Sequence, residues 1–132
     1  MPNVRETKAA DVMHEGVETI LSGATVAEAL RKMKQLKVSS LIVERRNKSD
    51  AYGILTKADI ITKVIDAGPK RKNLSHTKVF QIMSKPLVTV SPGLAIKYCT
   101  RVMKKSGVSR VVVFDGKQIV GILSMSDIFN HS

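Results

Sequence analysis

The chain repeats itself. Displaced by 70, residues 7–43 fall on 77–113 with identities at Thr7/Thr77, Lys8/Lys78, Met13/Met83, Thr19/Thr89, Gly23/Gly93, Arg31/Arg101, Met33/Met103, Lys34/Lys104, Val38/Val108, Ser39/Ser109 and Val43/Val113. That is 11 identities in 37 positions, against about two or three from ordinary residue frequencies. Beyond this stretch the offset becomes 68, so Gly53-Ile54-Leu55-Thr56 meets Gly121-Ile122-Leu123-Ser124 and Asp59-Ile60 meets Asp127-Ile128. The two-residue difference falls in Arg45-Arg46-Asn47-Lys48-Ser49-Asp50, a polar turn where length can vary without disturbing packing. A duplicated chain of 132 residues folds as two similar small units, and neither has the length to build a large core alone.

Each copy has the pattern β-α-β-β-α. Short extended pieces come first, at Val17–Leu21 and Leu87–Val90. Val26, Ala29, Leu30, Met33 and Leu36 then recur at helical spacing, which predicts an amphipathic helix with Thr25 and Glu28 as its capping box. The second copy keeps Ile96, Cys99 and Met103 on that face and ends at Ser106-Gly107, where glycine suits a left-handed cap. The apolar runs Val38–Val43 and Val108–Phe114 have the length and β-branching of buried strands. Tyr52–Leu55 and Ile119–Leu123 supply the next strands, and a final helix is expected from about Thr56 to Ala67, with a counterpart from Ser124. A two-strand unit with one apolar helix face leaves apolar surface over, so the copies are expected to pack about a pseudo-twofold axis. The fold class is α/β (α+β). The domains expected are 1–68 and 77–132, with 69–76 (Pro-Lys-Arg-Lys-Asn-Leu-Ser-His) as linker.

Hydrophobic content of 43% fits a globular chain, and no apolar run approaches the roughly 18 residues of a membrane span. MPNVRETKAADVM is followed by no apolar stretch, so no secretory signal is expected. The lone Cys99 points to a reducing, cytoplasmic setting. The net charge of +11 is uneven: residues 1–68 carry 11 Lys/Arg against 9 Asp/Glu, residues 69–132 carry 11 against 2. Such a field attracts phosphate groups on nucleotides or nucleic acid, or simply forms a solvated basic face.

The paired closing signatures, Gly53-Ile54-Leu55-Thr56-Lys57-Ala58-Asp59-Ile60 and Gly121-Ile122-Leu123-Ser124-Met125-Ser126-Asp127-Ile128, follow Val-Ser strand entries and Val/Ile-Met openings. In this the chain resembles the CBS (cystathionine β-synthase) domain, and the tandem resembles a Bateman module over residues 7–130. The resemblance implies clefts that bind an adenosine ligand such as AMP, ADP, ATP or S-adenosylmethionine as a regulatory ligand, with no required cofactor. It also implies a homodimer and a separate protein effector. It places ribose-binding carboxylates at Asp59 and Asp127 and the motif hydroxyls at Thr56 and Ser124. The base- or phosphate-contacting strand entries are Val38-Ser39 and Val108-Ser109, with Arg110 as a phosphate ligand in the cleft served by Asp59. Ser40 replaces arginine in the first copy, so unequal clefts are expected. Physically, glycine admits a close approach by a flat base, a hydroxyl at a helix start suits a phosphate, and a carboxylate accepts from two ribose hydroxyls.

Other readings of the same residues are blander. Thr/Ser-x-x-Asp is also a helix N-cap, and Arg110 is also an ordinary surface arginine. Met33, Met103 and Cys99 read as core. His14, His76 and His131 have no ligand partners at metal spacing, and no Walker loop, dinucleotide fingerprint or nucleophile elbow is present. No catalytic residues, metal site or membrane attachment are expected. The alternative function is nonspecific, salt-sensitive nucleic-acid binding through phosphates, although three Phe and two Tyr are few for a base-stacking platform.

Overall fold

The computed structural model describes residues 7–70, 72–85 and 87–131, with Lys70 as backbone only. Residues 1–6 of the expected first domain, Arg71 of the basic linker motif, and Ser132 lie outside these. The chain is mixed α+β, with two three-stranded sheets. It divides into two compact units: Glu18–Leu87, and Met1–Val17 together with Val88–Ser132.

In the unit of residues 18–87, β1 (Thr19–Ile20) pairs parallel with β2 (Ser40–Val43), which pairs antiparallel with β3 (Gly53–Thr56). In the other unit, β4 (Thr89–Val90), β5 (Arg110–Phe114) and β6 (Ile119–Ser124) repeat this order and sense. The connecting helices are α2 (Val26–Leu36) and α4 (Ile96–Ser106). The first unit's core holds Val26, Ala29, Met33, Leu41, Val43, Leu55 and Ile60, and the second's holds Cys99, Met103, Val111, Val113 and Leu123. Ile42 and Val112, which alternate with these core strand residues, are just as buried. That is why each central strand is an unbroken apolar run and does not alternate with polar residues.

The expected capping box of α2 is present: Glu28 N–H donates to Thr25 Oγ1 at 3.1 Å, and Thr25 N–H to Glu28 Oε2 at 3.2 Å. Gly107 ends α4 with φ +68°, and its counterpart in the first copy, Lys37, takes φ +55°. A lysine in that region carries a Cβ–carbonyl clash that glycine lacks. Lys37→Gly is therefore expected to raise stability by about 0.5–1 kcal/mol, read as a higher urea midpoint at unchanged slope.

The long closing helix expected over 56–67 is broken up. A helical turn α3 (Lys57–Ile60) passes into a π-helical turn over Ile61–Ile65, whereas α5 (Met125–His131) is a plain α-helix. The linker is also bonded into its unit: Ala27 N–H donates to Leu74 O at 3.0 Å and, just past the linker, Val26 N–H donates to Thr77 O at 2.8 Å.

A short helix α1 (Ala9–Val12) lies ahead of the first copy's strands yet packs in the unit of the second copy, with Ala9 fully buried in that core. Beyond it, His14 and Ile122 exchange both backbone hydrogen bonds, at 2.8 and 3.0 Å. Ser84 and Ile54 do the same in the other unit, at 3.0 and 2.9 Å. The opening segment of each sequence copy thus lies along the last strand of the other.

Candidate functional site

Each unit gathers three of the singled-out pieces at the end of its sheet. Ser40 is in register with Thr56 on β3, and Lys57 N–H, at the start of α3, donates to Ser39 O at 3.0 Å. In the other unit Arg110 stands opposite Ser124, and Met125 N–H donates to Ser109 O at 2.9 Å. Strand entry, motif hydroxyl and carboxylate therefore cluster about the first turn of the closing helix. Ser39 and Ser109 are exposed; Val38, Val108, Thr56, Ser124 and Arg110 are half-buried.

Both motif aspartates cap their helices. Thr56 N–H donates to Asp59 Oδ2 at 3.0 Å, and Asp59 N–H to Thr56 Oγ1 at 3.1 Å. Ser124 N–H donates to Asp127 Oδ2 at 2.8 Å, and Asp127 N–H to Ser124 Oγ at 3.1 Å. The capping reading thus holds in both copies. It consumes one oxygen of each carboxylate and one face of each hydroxyl, and it fixes the rotamer so that Oδ1 points away from the cap.

The remaining oxygens differ in what they meet. Asp59 Oδ1 lies 3.2 Å from Lys63 Nζ, one turn along the same segment, a placement that i, i+4 spacing foretells. Asp127 Oδ1 lies 2.5 Å from His14 Nε2. Sequence reading leaves His14 isolated; the structure gives it a carboxylate partner 113 residues away. No local spacing could announce this, because the contact depends on the segment exchange. Among the described residues no three His, Cys, Asp or Glu side chains group as metal ligands.

The motif glycines serve the chain's own crossing. A Cβ on Gly121 would stand 2.5 Å from Met13 Sδ and 2.9 Å from His14 O; on Gly53, 2.8 Å from Met83 Sδ and 3.2 Å from Ser84 O. The Val/Ile-Met opening and the Gly-Ile-Leu closing are two halves of one contact, made once in each unit. The thiol of Cys99 is buried, which pushes its pKa up. It is packed as a small hydrophobe, the state of an unreactive cysteine. No helix is long and apolar enough to cross a membrane among the described residues.

The CBS domain family model matches residues 9–66 and 79–132. Among solved structures, the chain is similar to a hexameric CBS-CP12 protein from bloom-forming cyanobacteria, with TM-score 0.88 and 40% identity over 96% of this chain and 68% of that one. It is also similar to a conserved protein from Pyrococcus horikoshii, with TM-score 0.81 and 26% identity over 96% and 92%. A protein of Methanopyrus kandleri is 28% identical over 95% of this chain and 62% of its own length. Arabinose 5-phosphate isomerase of Salmonella typhimurium is 27% identical, and there the match takes in 36% of the enzyme. The chain thus spans less than two thirds of the curated relatives named here.

Proposed function

The chain belongs to the CBS domain family, and we propose that it is a non-catalytic regulatory module that binds an adenosine nucleotide. What supports this most is the duplicated grouping, in each unit, of a strand-entry serine, a motif hydroxyl and a carboxylate about one helix start. A carboxylate whose Oδ2 is fixed by a cap presents Oδ1 in a set direction, and paired ribose hydroxyls are donors of the right kind for it. The strand entries 38–39 and 108–109 run beside these helix starts, in place to meet the base or phosphate. Arg110 supplies a charge for phosphate, which a guanidinium binds in a planar fork. The molecule acts as a homodimer in the cytoplasm, and its ligand shifts a protein partner's activity by favouring one of two conformations.

Thermal melting with AMP, ATP and S-adenosylmethionine tests the reading. A ligand at ten times its Kd adds about 1.4 kcal/mol of stability. Asp59→Asn, which keeps an oxygen for the cap, weakens binding about tenfold by losing a charge-assisted hydrogen bond. Arg110→Ala weakens ATP and AMP and leaves adenosine unchanged. A melting temperature that no adenosine compound moves would overturn the assignment.

A further inference from the structure

We propose that His14 gates the carboxylate of Asp127, so that a ribose is held there only after the imidazole has been displaced. The inference rests on the nucleotide reading above and adds a control that the two units do not share. Asp127 Oδ2 is committed to the Ser124 N–H at 2.8 Å and Oδ1 to His14 Nε2 at 2.5 Å. Only 12% of the Asp127 side chain is exposed, so with the ring in place little of the carboxylate is left for a second donor.

The equivalent carboxylate is held differently. Lys63 reaches Asp59 at 3.2 Å and also donates to Ile82 O at 2.9 Å. Its long stem can swing away with its charge toward a phosphate. His14 comes instead from a segment tied to β6 by two backbone hydrogen bonds with Ile122, and its ring turns on only two side-chain torsions. The ring is 75% exposed, so it can rotate into water without breaking a core contact. It behaves as a tethered, reversible competitor for Oδ1.

The two carboxylates thus differ in what must leave before a new donor can reach Oδ1: a histidine ring at Asp127 and a lysine ammonium at Asp59.

The experiment is a ¹H–¹⁵N titration of the full chain with adenosine, which has no phosphate to titrate. The Ser124 and Asp127 amides report one carboxylate, and the Thr56 and Asp59 amides the other. His14→Ala tightens the Kd read at Asp127 about two- to five-fold, the scale of an exposed pair, while that at Asp59 stays level. His14→Gln, which still donates a hydrogen bond, gives less gain in affinity. Neither variant removes the backbone bridge to Ile122. A Kd at Asp127 that is unchanged in His14→Ala overturns the gate and spares the nucleotide reading, and so does weaker binding. Amides that stay still in both sets, in every variant, overturn both.

Discussion

Ala9→Asp is expected to cost about 3–5 kcal/mol, the scale of an uncompensated buried charge. The loss should appear in residues 88–132, far along the chain from the substitution. Ala9 is fully buried against Val90, Cys99, Met103, Val111, Val113 and Leu123, and α1 is tied there by backbone bonds: Ala9 N–H to Leu94 O at 2.8 Å, Ala10 N–H to Pro92 O at 3.0 Å, and Ile96 N–H to Thr7 O at 3.0 Å. A carboxylate in that core finds no water, so its pKa rises. A raised folded-state pKa makes the penalty largest at neutral pH, and its charge part vanishes below the unfolded value near 4, leaving the cost of the added bulk and polarity. Native-state hydrogen exchange would read the location. Protection should fall first in β5 and β6, while β2 and β3 keep theirs. Loss confined to residues 18–43 would show that the opening segment belongs with its own sequence copy.

Gly121→Ala is the second large effect, a loss of about 3 kcal/mol, at the upper end of overpacking costs. The added methyl would meet Met13 Sδ at 2.5 Å, Met13 Cγ at 2.8 Å and the backbone oxygen of His14 at 2.9 Å. A methionine tip can move; the His14 carbonyl, which accepts from Ile122 N–H while His14 N–H donates to Ile122 O, cannot without opening the strand edge. Gly53→Ala should cost less, because its backbone neighbour, Ser84 O, is at 3.2 Å and its closest contact, at 2.8 Å, is the flexible Met83 Sδ. Urea unfolding of the two variants gives the order directly. An equal or reversed order would mean that the crossings are not what holds these positions as glycine.

The helices α2 and α4 were legible from spacing and caps, because helix formation answers to neighbours three and four residues apart. Thr25, Glu28 and Gly107 do what their residue types suggest. Strand positions were legible to within one or two residues, since a buried central strand has to be apolar on both faces. The π-helical turn at Ile61–Ile65 was not, for its apolar pattern reads equally well as ordinary helix. At the candidate site, Thr56, Asp59, Ser124 and Asp127 stood out because the motif is doubled. Lys63 was not singled out, although its i, i+4 spacing from Asp59 is a signal that finds it; nothing local points to His14.

By itself, the amino-acid sequence determined that two like units form, that each runs through strand, helix, strand and strand in that order, and that a hydroxyl and a carboxylate open each closing helix. These are consequences of periodicity and of short-range hydrogen bonding. Only the tertiary structure decided that the opening segments change places, that the motif glycines exist to let Met13 and Met83 pass, and that one aspartate faces an imidazole and the other an ammonium. Two similar strand edges stand before two related opening segments, and the choice between them is made by packing over the whole chain, which no window of neighbouring residues contains.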